Sequence, residues 1–404
     1  MTMRLAALAL ACLTAVACRD EKGGTVDPPV TPVTPSVMTV AGRGTANARY
    51  NAEVWVHGNY AYTTTWGTKT VNAVARQGNA IYIWDIRGTN PALVDSVLVA
   101  GVGTLGDVQV SPDGRYLVVP SEPAPGYLFT FDLTNPVKPQ LVSTFSTPKA
   151  TRGIHTAEIQ VIGGKLYAFA SINTGNGHPA RMMIVDLSTP ASPQEVWTLD
   201  ISGSFVHDVF VRDGLLFTAQ WDNGMVIHDI GGGGRGGTIT NPVRVGGIAT
   251  TGGKVHNIWW MHDGSNKRFV FVGEEGPATL FSSSSGDIHV VDISNLDAMR
   301  EVALLRVTGA GTHNFSVDEA NGFLYAAYYN AGVQALDVRG DLSTCTTSQR
   351  AADGRCDLRL MGRLKAIGLQ DQGAVFVWGV HYTGGSLYAS DMINGIWKIA
   401  PLRR

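Results

Sequence analysis

The sequence predicts an all-β fold, a seven-bladed β-propeller built from four-stranded antiparallel blades. A short signature of two apolar residues, an aspartate and another apolar residue recurs six times. Repeats at intervals of roughly 40–50 residues are typical of propellers and related arrays. A strand–turn–strand pattern precedes each copy and occurs once more near the C-terminus, which gives seven repeats. The signature aspartates are Asp85, Asp132, Asp186, Asp229, Asp292 and Asp337.

The N-terminus has the pattern of an exported bacterial lipoprotein. A single Arg4 precedes the apolar run 5–16, which is too short to span a bilayer, and small residues then precede Cys18. We expect residues 1–17 to be a lipoprotein signal peptide and Cys18 to carry the lipid. The mature chain would be anchored in the periplasm, at the outer membrane or on the cell surface. The alternative is an ordinary signal peptide, which also implies export.

Residues 18–36 are rich in proline and threonine and predict an extended tether. Residues 37–404 form the predicted propeller, whose last repeat, 377–400, ends after its third strand. A missing fourth strand would leave an open sheet edge. We expect segment 36–42, just before the first repeat, to supply that strand and join the ends of the ring; the alternative is that it is further linker.

The repeat is clearest at residues 206–248. Alternating apolar residues predict strands at 207–211 and 215–219, and Gly214 provides the positive φ of the turn between them. The signature strand and a fourth strand at 243–248 complete the blade. One blade cannot bury both of its faces alone, so neighbouring blades must stack on it. Equivalent hairpins are predicted at 58–62, 108–119, 158–170, 255–272 and 315–327.

The signature aspartates have a structural interpretation. A carboxylate at a strand end can accept backbone N–H bonds from the following turn, and a proline often follows to fix φ. The glycine-rich run 231–237 has no Lys-Ser or Lys-Thr after it. It is therefore predicted to be a flexible loop and not a phosphate-binding loop.

An insertion of about residues 339–374 separates the sixth and seventh repeats and contains Cys345 and Cys356. In an oxidising compartment this pair predicts a disulfide. A thiolate metal site is the alternative, but the CxxC spacing is absent.

The net charge of −2 and the lack of a Lys/Arg run argue against nucleic acid as a partner. We expect a monomer.

The repeat resembles the LVIVD-repeat family of bacterial propeller proteins. The closest copies are residues 183–187 and 289–293, and the resemblance covers nearly all of the chain after the tether. It implies an exported or surface propeller and gives no general catalytic assignment. The chain departs from the repeat in the long loop 273–286 and in the insertion. Trp84-Asp85 looks like a WD dipeptide, but the other repeats lack it.

A second pattern appears when the repeats are aligned. Histidines occupy one position, at the start of the first strand, in four consecutive repeats, and Trp378 occupies it in the last. First strands line the central channel of a propeller, so this position should form a ring at one mouth. The histidines would lie on one arc of that ring, with three polar residues beside them. The set is His155, His207, His256 and His313, with Asp208, Asn257 and Asn314.

The histidine arc allows three interpretations. Imidazole is a frequent ligand of Zn, Cu, Fe and Ni, so His155, His207, His256 and His313 are candidate ligands of a divalent transition metal if their nitrogens converge. They could instead line a polar ligand pocket, or form structural hydrogen bonds to neighbouring blades. Loops between second and third strands should open on the same face. Asp222 and Glu275 in these loops are the best candidates to join His207 and His256.

The expected function is that of a binding or scaffolding module at the cell envelope, with a protein or a small polar or glycan ligand on the upper face. One alternative is a metal-dependent enzyme, an oxidase or hydrolase, that uses the histidine arc. Selenium-binding-type propellers, oxidases with a histidine cluster at the channel mouth, show by analogy that the architecture permits this. The other alternative is a purely structural surface protein. The sequence singles out no catalytic residue.

Overall fold

The computed structural model describes residues 31–123, 125–175 and 177–404. Its strands form the seven-bladed propeller predicted from the repeats, which is thereby confirmed. The predicted signal peptide, Cys18 and the tether up to residue 30 lie outside the described residues. Among the residues that are described, no helix combines the length and apolar character needed to cross a bilayer.

The strands are short, and most carry one or two buried faces, as expected for stacked sheets. In the first half of the chain they are β1 (Ser36–Val37), β2 (Val40–Gly44), β3 (Tyr50–His57), β4 (Tyr60–Trp66), β5 (Thr68–Val71), β6 (Val74–Gln77), β7 (Ala80–Asp85), β8 (Ala92–Leu98), β9 (Gln109–Val110), β10 (Tyr116–Pro120), β11 (Leu128–Asp132), β12 (Gln140–Phe145), β13 (Ile154–Ile162), β14 (Lys165–Ile172), β15 (Ala180–Asp186) and β16 (Gln194–Ile201). In the second half they are β17 (Asp208–Arg212), β18 (Leu215–Ala219), β19 (Met225–Asp229), β20 (Val243–Ile248), β21 (Val255–Trp260), β22 (Phe269–Glu274), β23 (Ile288–Asp292), β24 (Arg300–Leu305), β25 (Phe315–Asp318), β26 (Phe323–Ala327), β27 (Val333–Asp337), β28 (Cys356–Asp357), β29 (Leu364–Gly368), β30 (Val377–Thr383), β31 (Ser386–Asp391) and β32 (Gly395–Ile399). Short 3₁₀ turns occur at Pro148–Ala150 and Thr347–Gln349.

Each blade has the first strand of its repeat at the channel and the fourth at the rim. From the channel outwards the blades are β3-β4-β7-β8, β9-β10-β11-β12, β13-β14-β15-β16, β17-β18-β19-β20, β21-β22-β23-β24, β25-β26-β27-β29 and β30-β31-β32-β2. The hairpin β5-β6 extends from the first blade. The core lies between blades, where apolar side chains of neighbouring sheets pack together, as Leu128 and Val118 of blade two do with Ile154 and Ala168 of blade three.

The N-terminal segment forms two strands and not the single strand predicted at 36–42. β1 pairs in parallel with β29 at the rim of blade six. β2 then pairs antiparallel with β32 and occupies the fourth position of blade seven. Met38, between these strands, is buried in the core that blades six and seven share. The two strands therefore hold the start of the domain against both blades.

The segment 339–374, predicted as an insertion, is shorter than expected because it contains β29, the fourth strand of blade six. The additional part crosses to blade five, where β28 pairs in parallel with β24. Cys345 and Cys356 form a disulfide within this part. Sequence pattern could not separate β29 from the insertion because no signature accompanies a fourth strand.

The signature aspartates have the structural role that the sequence predicts. Each carboxylate accepts the backbone N–H of the residue two positions later, which fixes the turn after the third strand. The acceptors and donors are Asp85 and Arg87, Asp132 and Thr134, Asp186 and Ser188, Asp229 and Gly231, Asp292 and Ser294, and Asp337 and Arg339.

Asp229 holds the glycine-rich loop, which is more ordered than the flexible loop predicted from its composition. Its carboxylate accepts five backbone N–H groups, from Gly231, Gly232, Gly233, Arg235 and Gly237. These hydrogen bonds outweigh the opposing effect of burial and hold the pKa of Asp229 below its ordinary value. The loop thus surrounds the carboxylate of Asp229.

We expect Asp229→Asn to lower the free energy of unfolding by about 2–3 kcal/mol. The asparagine side chain is uncharged, and its NH2 group would face the backbone N–H groups that the carboxylate now accepts. Chemical denaturation followed by circular dichroism measures the loss. Asp186→Asn, at the same repeat position, is the matched control, because Asp186 accepts a single backbone bond within the described residues. Equal losses in the two variants would contradict this role for the loop.

Candidate metal centre

A β-bulge at the start of the first strand aims His155 and His256 into the channel. Consecutive strand residues ordinarily face opposite sides of a sheet. In blades three and five the pairing skips one residue, between Ile154 and Thr156 and between Val255 and Asn257. A bulge of this kind redirects a side chain. The histidine and the residue after it therefore both line the central cavity.

The four histidines form the arc that the sequence predicts. The Nε2 atoms of His155 and His207 are 2.9 Å apart. The rings of His207 and His256 have centroids 3.8 Å apart, and those of His256 and His313 are 4.1 Å apart. His313 is farther from His207, at 6.5 Å between ring centroids. Neighbouring rings of the arc are thus evenly spaced, since the centroids of His155 and His207 are also 4.2 Å apart.

Glu275 reaches the arc from the loop after β22. Its Oε2 lies 3.7 Å from the Nε2 atoms of both His207 and His256, and one ligand atom from each of the three residues falls within 4.8 Å of the others. Tyr329 donates its hydroxyl hydrogen to the other carboxylate oxygen. Burial raises the pKa of Glu275 above its ordinary value, although Tyr329 and the charge of His155 oppose the rise.

The histidines of the arc are buried and are short of hydrogen-bond partners. His207, His256 and His313 are 6%, 1% and 2% exposed. Burial, followed by the charges of neighbouring histidines, holds the pKa of each well below its ordinary value, so they are neutral near pH 7. Nδ1 of all three, and Nε2 of His256, have no well-aligned hydrogen-bond partner within the described part of the chain, although the backbone of the next blade interacts with the rings of His207 and His313. Neutral imidazoles with free nitrogens are ready metal ligands.

His155 is held differently. Its Nδ1 is 2.9 Å from Glu122 Oε2, and Asn173 donates its Nδ2–H to the same oxygen at 2.7 Å. Burial lowers the pKa of His155, but the Glu122 carboxylate more than compensates and raises it overall. This contact directs Nε2 at His207. A carboxylate bonded to the far nitrogen of a histidine is the usual support of a metal ligand.

Aromatic rings surround the arc. Trp221 stacks on His207 with centroids 5.7 Å apart, and Tyr329 and Trp378 contact His313 at 5.1 and 4.3 Å. Trp221 and Tyr329 both have positive φ, +47° and +38°. Backbone of this kind costs on the order of 1–3 kcal/mol for a bulky residue and occurs preferentially at functional sites. The strain keeps both rings against the histidines.

The residues that follow the mouth position form a second layer, one step down the channel. Glu53 belongs to it although the sequence pattern did not single it out, and a Cβ at the equivalent Gly379 would overlap its carboxylate. Burial raises the pKa of Glu53 to about 8. The predicted polar neighbours of the histidines lie in this layer and not among the possible ligands. The layer consists of Glu53, Asp107, Thr156, Asp208, Asn257 and Asn314.

Asp222 does not join the arc as predicted. It forms an ion pair with Lys254 at 2.6 Å, and its side chain is 57% exposed. Glu122 and Tyr329 lie in loops that the sequence places at the mouth, but the sequence did not single them out as neighbours of the histidines. Their loop positions predict the correct face of the propeller, but side-chain direction depends on backbone conformations, such as the positive φ of Tyr329, that have no sequence signature.

Comparisons with known proteins agree with the repeat and the fold. The LVIVD repeat model matches residues 48–70, 178–201 and 203–234, which confirms the resemblance. The structure of U3-55K is similar, with 11% identity, a TM-score of 0.61, and coverage of 91% of this chain and 100% of that chain. The C-terminal WD40 domain of Sif2 has 12% identity, a TM-score of 0.53, and coverage of 87% and 82%. At these identities the likeness shows the fold alone. No curated protein matches the chain significantly.

Proposed function

We propose that this LVIVD-repeat propeller is an exported binding module of the cell envelope that holds a divalent transition metal at its channel mouth. His207, His256 and Glu275 are the central ligands, and His155 is the fourth. The observation that carries the proposal is the convergence of three ligand atoms within 4.8 Å of one another, on two buried histidines and the partly buried Glu275.

The donor separations suit a metal. Zn–N and Zn–O bonds of about 2.0–2.2 Å place neighbouring donors roughly 3–3.5 Å apart around one ion. The observed separations are 2.9 Å between His155 and His207 and 3.7 Å from Glu275 to each of two imidazoles. Imidazole with a carboxylate suits Zn, Cu, Fe or Ni better than Mg or Ca. Small rotamer changes would bring the donors into bonding range.

The structural alternative for the histidines has less support. It expects their ring nitrogens to bond to carbonyl groups of neighbouring blades. Backbone groups of His256 and Trp378, each in the next blade, do interact with the rings of His207 and His313, but both nitrogens of His256 lack a well-aligned partner within the described chain. A buried polar atom without a partner costs about 1–3 kcal/mol. A metal ion would compensate several of these atoms at once.

Envelope anchoring rests on the sequence: the lipoprotein pattern that ends at Cys18, the tether, and a cysteine pair suited to an oxidising compartment. The upper face, with its aromatic residues around the metal centre, is the surface on which a protein or glycan partner would bind. Incorporation of labelled palmitate that is lost in Cys18→Ser would support the anchor, and its absence in the parent chain would contradict it.

The metal proposal is tested by purifying the chain from residue 19 without a histidine tag and measuring metals by mass spectrometry. We expect about one equivalent of Zn, Cu, Mn or Fe per chain, as isolated or after incubation with the salts. Absence of a stoichiometric metal under all these conditions would contradict the proposal and would return the histidines to a structural role.

Glu122→Gln should weaken metal affinity about 10- to 100-fold, the usual effect of removing a carboxylate that orients a ligand histidine. The amide keeps the shape but removes the charge that raises the pKa of His155. Competition with a chromogenic chelator measures the affinity. Glu195→Gln is the control, because Glu195 lies on the rim strand β16 and pairs with Lys149. Unchanged affinity in Glu122→Gln would exclude His155 as a ligand.

A further inference from the structure

A cavity of about 470 Å³ runs down the channel from the histidine arc. His207, His256 and His313 lie at its upper end, and their side chains are almost fully buried. At the lower end it reaches Arg212, Trp259 and Tyr382. Arg212 and its partner Glu319 have side chains 28% and 24% exposed, so this end is open to solvent. The volume is in the range of small-molecule sites.

The cavity wall carries more acid than base. Glu53, Asp107, Glu158 and Asp208 all line it. Backbone N–H groups hold three of these carboxylates in place, from Val54 to Glu53, from Val108 and Ala157 to Asp107, and from Val209 to Asp208. The only Lys or Arg among the described lining residues is Arg212, which is already paired with Glu319. An anionic ligand would therefore find no unpaired Lys or Arg among the described lining residues.

Side-chain acceptors in the same wall lack donors. Asn257 is 3% exposed, and its Oδ1 has no well-aligned donor among the residues described, although the side chain interacts with the ring of His256. Oδ1 of Asn314 is also unpaired, while its amide donates to Glu53. Because the unpaired atoms are acceptors, the missing group is a hydrogen-bond donor. This observation is independent of the carboxylates and indicates the same kind of ligand.

The lower half of the cavity is aromatic. Trp55, Phe210, Trp259 and Tyr382 line it, and the rings of Phe210 and Trp259 are 5.4 Å apart. Aromatic faces attract organic cations and cover the alkyl or aryl part of a ligand. The cavity thus combines an apolar lower half with an acceptor-rich, acidic upper half.

We infer that the channel is a second binding site, distinct from the metal centre, for a small organic cation that carries a protonated amine. The ammonium group would lie among the carboxylates and the asparagine oxygens, and the hydrocarbon part against the tryptophans. The ligand would come through the lower opening, on the face opposite the histidines. This inference goes beyond the proposed function and does not require a bound metal.

The charge of the ligand decides between an amine and a neutral polyol. Opposite charges attract more strongly in a channel shielded from bulk water than in water itself. Burial raises the pKa of Glu53 and of Glu158 to about 8, so both are neutral near pH 7 when the channel is empty. An ammonium ion would restore their ionisation, whereas a diol would gain hydrogen bonds alone.

The test is isothermal titration of chelator-treated, metal-free protein with 1,4-diaminobutane and benzylamine, and with their neutral counterparts 1,4-butanediol and benzyl alcohol. We expect at least one amine to bind at least 10-fold more tightly than its alcohol. Glu53→Gln/Glu158→Gln should reduce that affinity at least 10-fold. Asp200→Asn/Asp297→Asn, which removes two exposed carboxylates, should not change it.

Equal binding of amines and alcohols, no binding of either, or unchanged amine binding in the double glutamine variant would each overturn the inference. Binding of K⁺ or Ca²⁺ with no binding of amines would also overturn it, in favour of an inorganic cation. Circular dichroism checks that the variants are folded, and the single variants Glu53→Gln and Glu158→Gln replace the double one if it is not. Because the titrations use metal-free protein, their outcome does not depend on whether the metal proposal is correct.

Discussion

His207→Ala/His256→Ala should bind divalent transition metal at least about 100-fold more weakly than the parent chain. Loss of a residue that merely supports a ligand usually costs 10- to 100-fold, and this variant loses two ligands directly. Glu275 would then have no imidazole within reach on its Oε2 side, because both of its 3.7 Å partners are gone. Metal content by mass spectrometry and competition with a chelator measure the effect.

The same variant should fold, because its two histidines contribute little to stability without metal. Their unpaired buried nitrogens are unfavourable in the empty protein, which offsets part of the packing that alanine removes. His57→Ala/His178→Ala is the matched control: it removes the same number of histidines from exposed positions. Metal retained in the arc variant, or lost equally in the control, would contradict the ligand assignment.

The fold was predictable because each repeat carries the same strand and turn residues. The turn aspartates, such as Asp186, and turn glycines, such as Gly214, mark where strands end, and six recurrences average out local ambiguity. Fourth strands have no such marker. This is why β29 was included in the insertion and why the N-terminal segment, β1 and β2, was predicted as one strand.

The candidate site was predictable only in part. Aligned repeats located His155, His207, His256 and His313, because an equivalent position in every blade must fall at the same height in the channel. The alignment could not reveal the bulge that turns both His256 and Asn257 inward, since strand alternation would separate them. It also could not reveal that one loop glutamate, Glu275, reaches the histidines while Asp222 turns to Lys254.

The acidic layer of the channel should make the protein less stable as the pH rises above 6.5. The pKa of Glu53 and of Glu158 is about 8 in the folded chain and close to 4.5 when unfolded. Between those values the folded state binds more protons than the unfolded state, so the free energy of unfolding falls as pH rises. From pH 6.5 to 8 the loss is about 1.6 kcal/mol for each group, at about 1.4 kcal/mol per pKa unit, because each group is already half ionised at pH 8.

The window above pH 6.5 separates this effect from that of the three histidines whose pKa is lowered. His207, His256 and His313 have lowered pKa values, so their contribution is lost only as pH falls below the ordinary histidine value. Denaturant unfolding at pH 6.5, 7.25 and 8 should therefore show a steeper loss in the parent chain than in Glu53→Gln/Glu158→Gln. A slope does remain in that variant, because burial also raises the pKa of Asp107, Asp208 and Glu275. The pKa of His155 is raised as well, by the Glu122 carboxylate.

Asp200→Asn/Asp297→Asn, whose parent side chains are 63% and 66% exposed, should keep the full slope of the parent chain. Identical slopes in the parent chain and the glutamine variant would mean that the two carboxyl groups are ionised in the folded channel. The cavity would then carry a fixed negative charge even when empty, because water in the channel would solvate the carboxylates. A steeper slope in the parent chain instead means that the channel holds protons that a cationic ligand can displace.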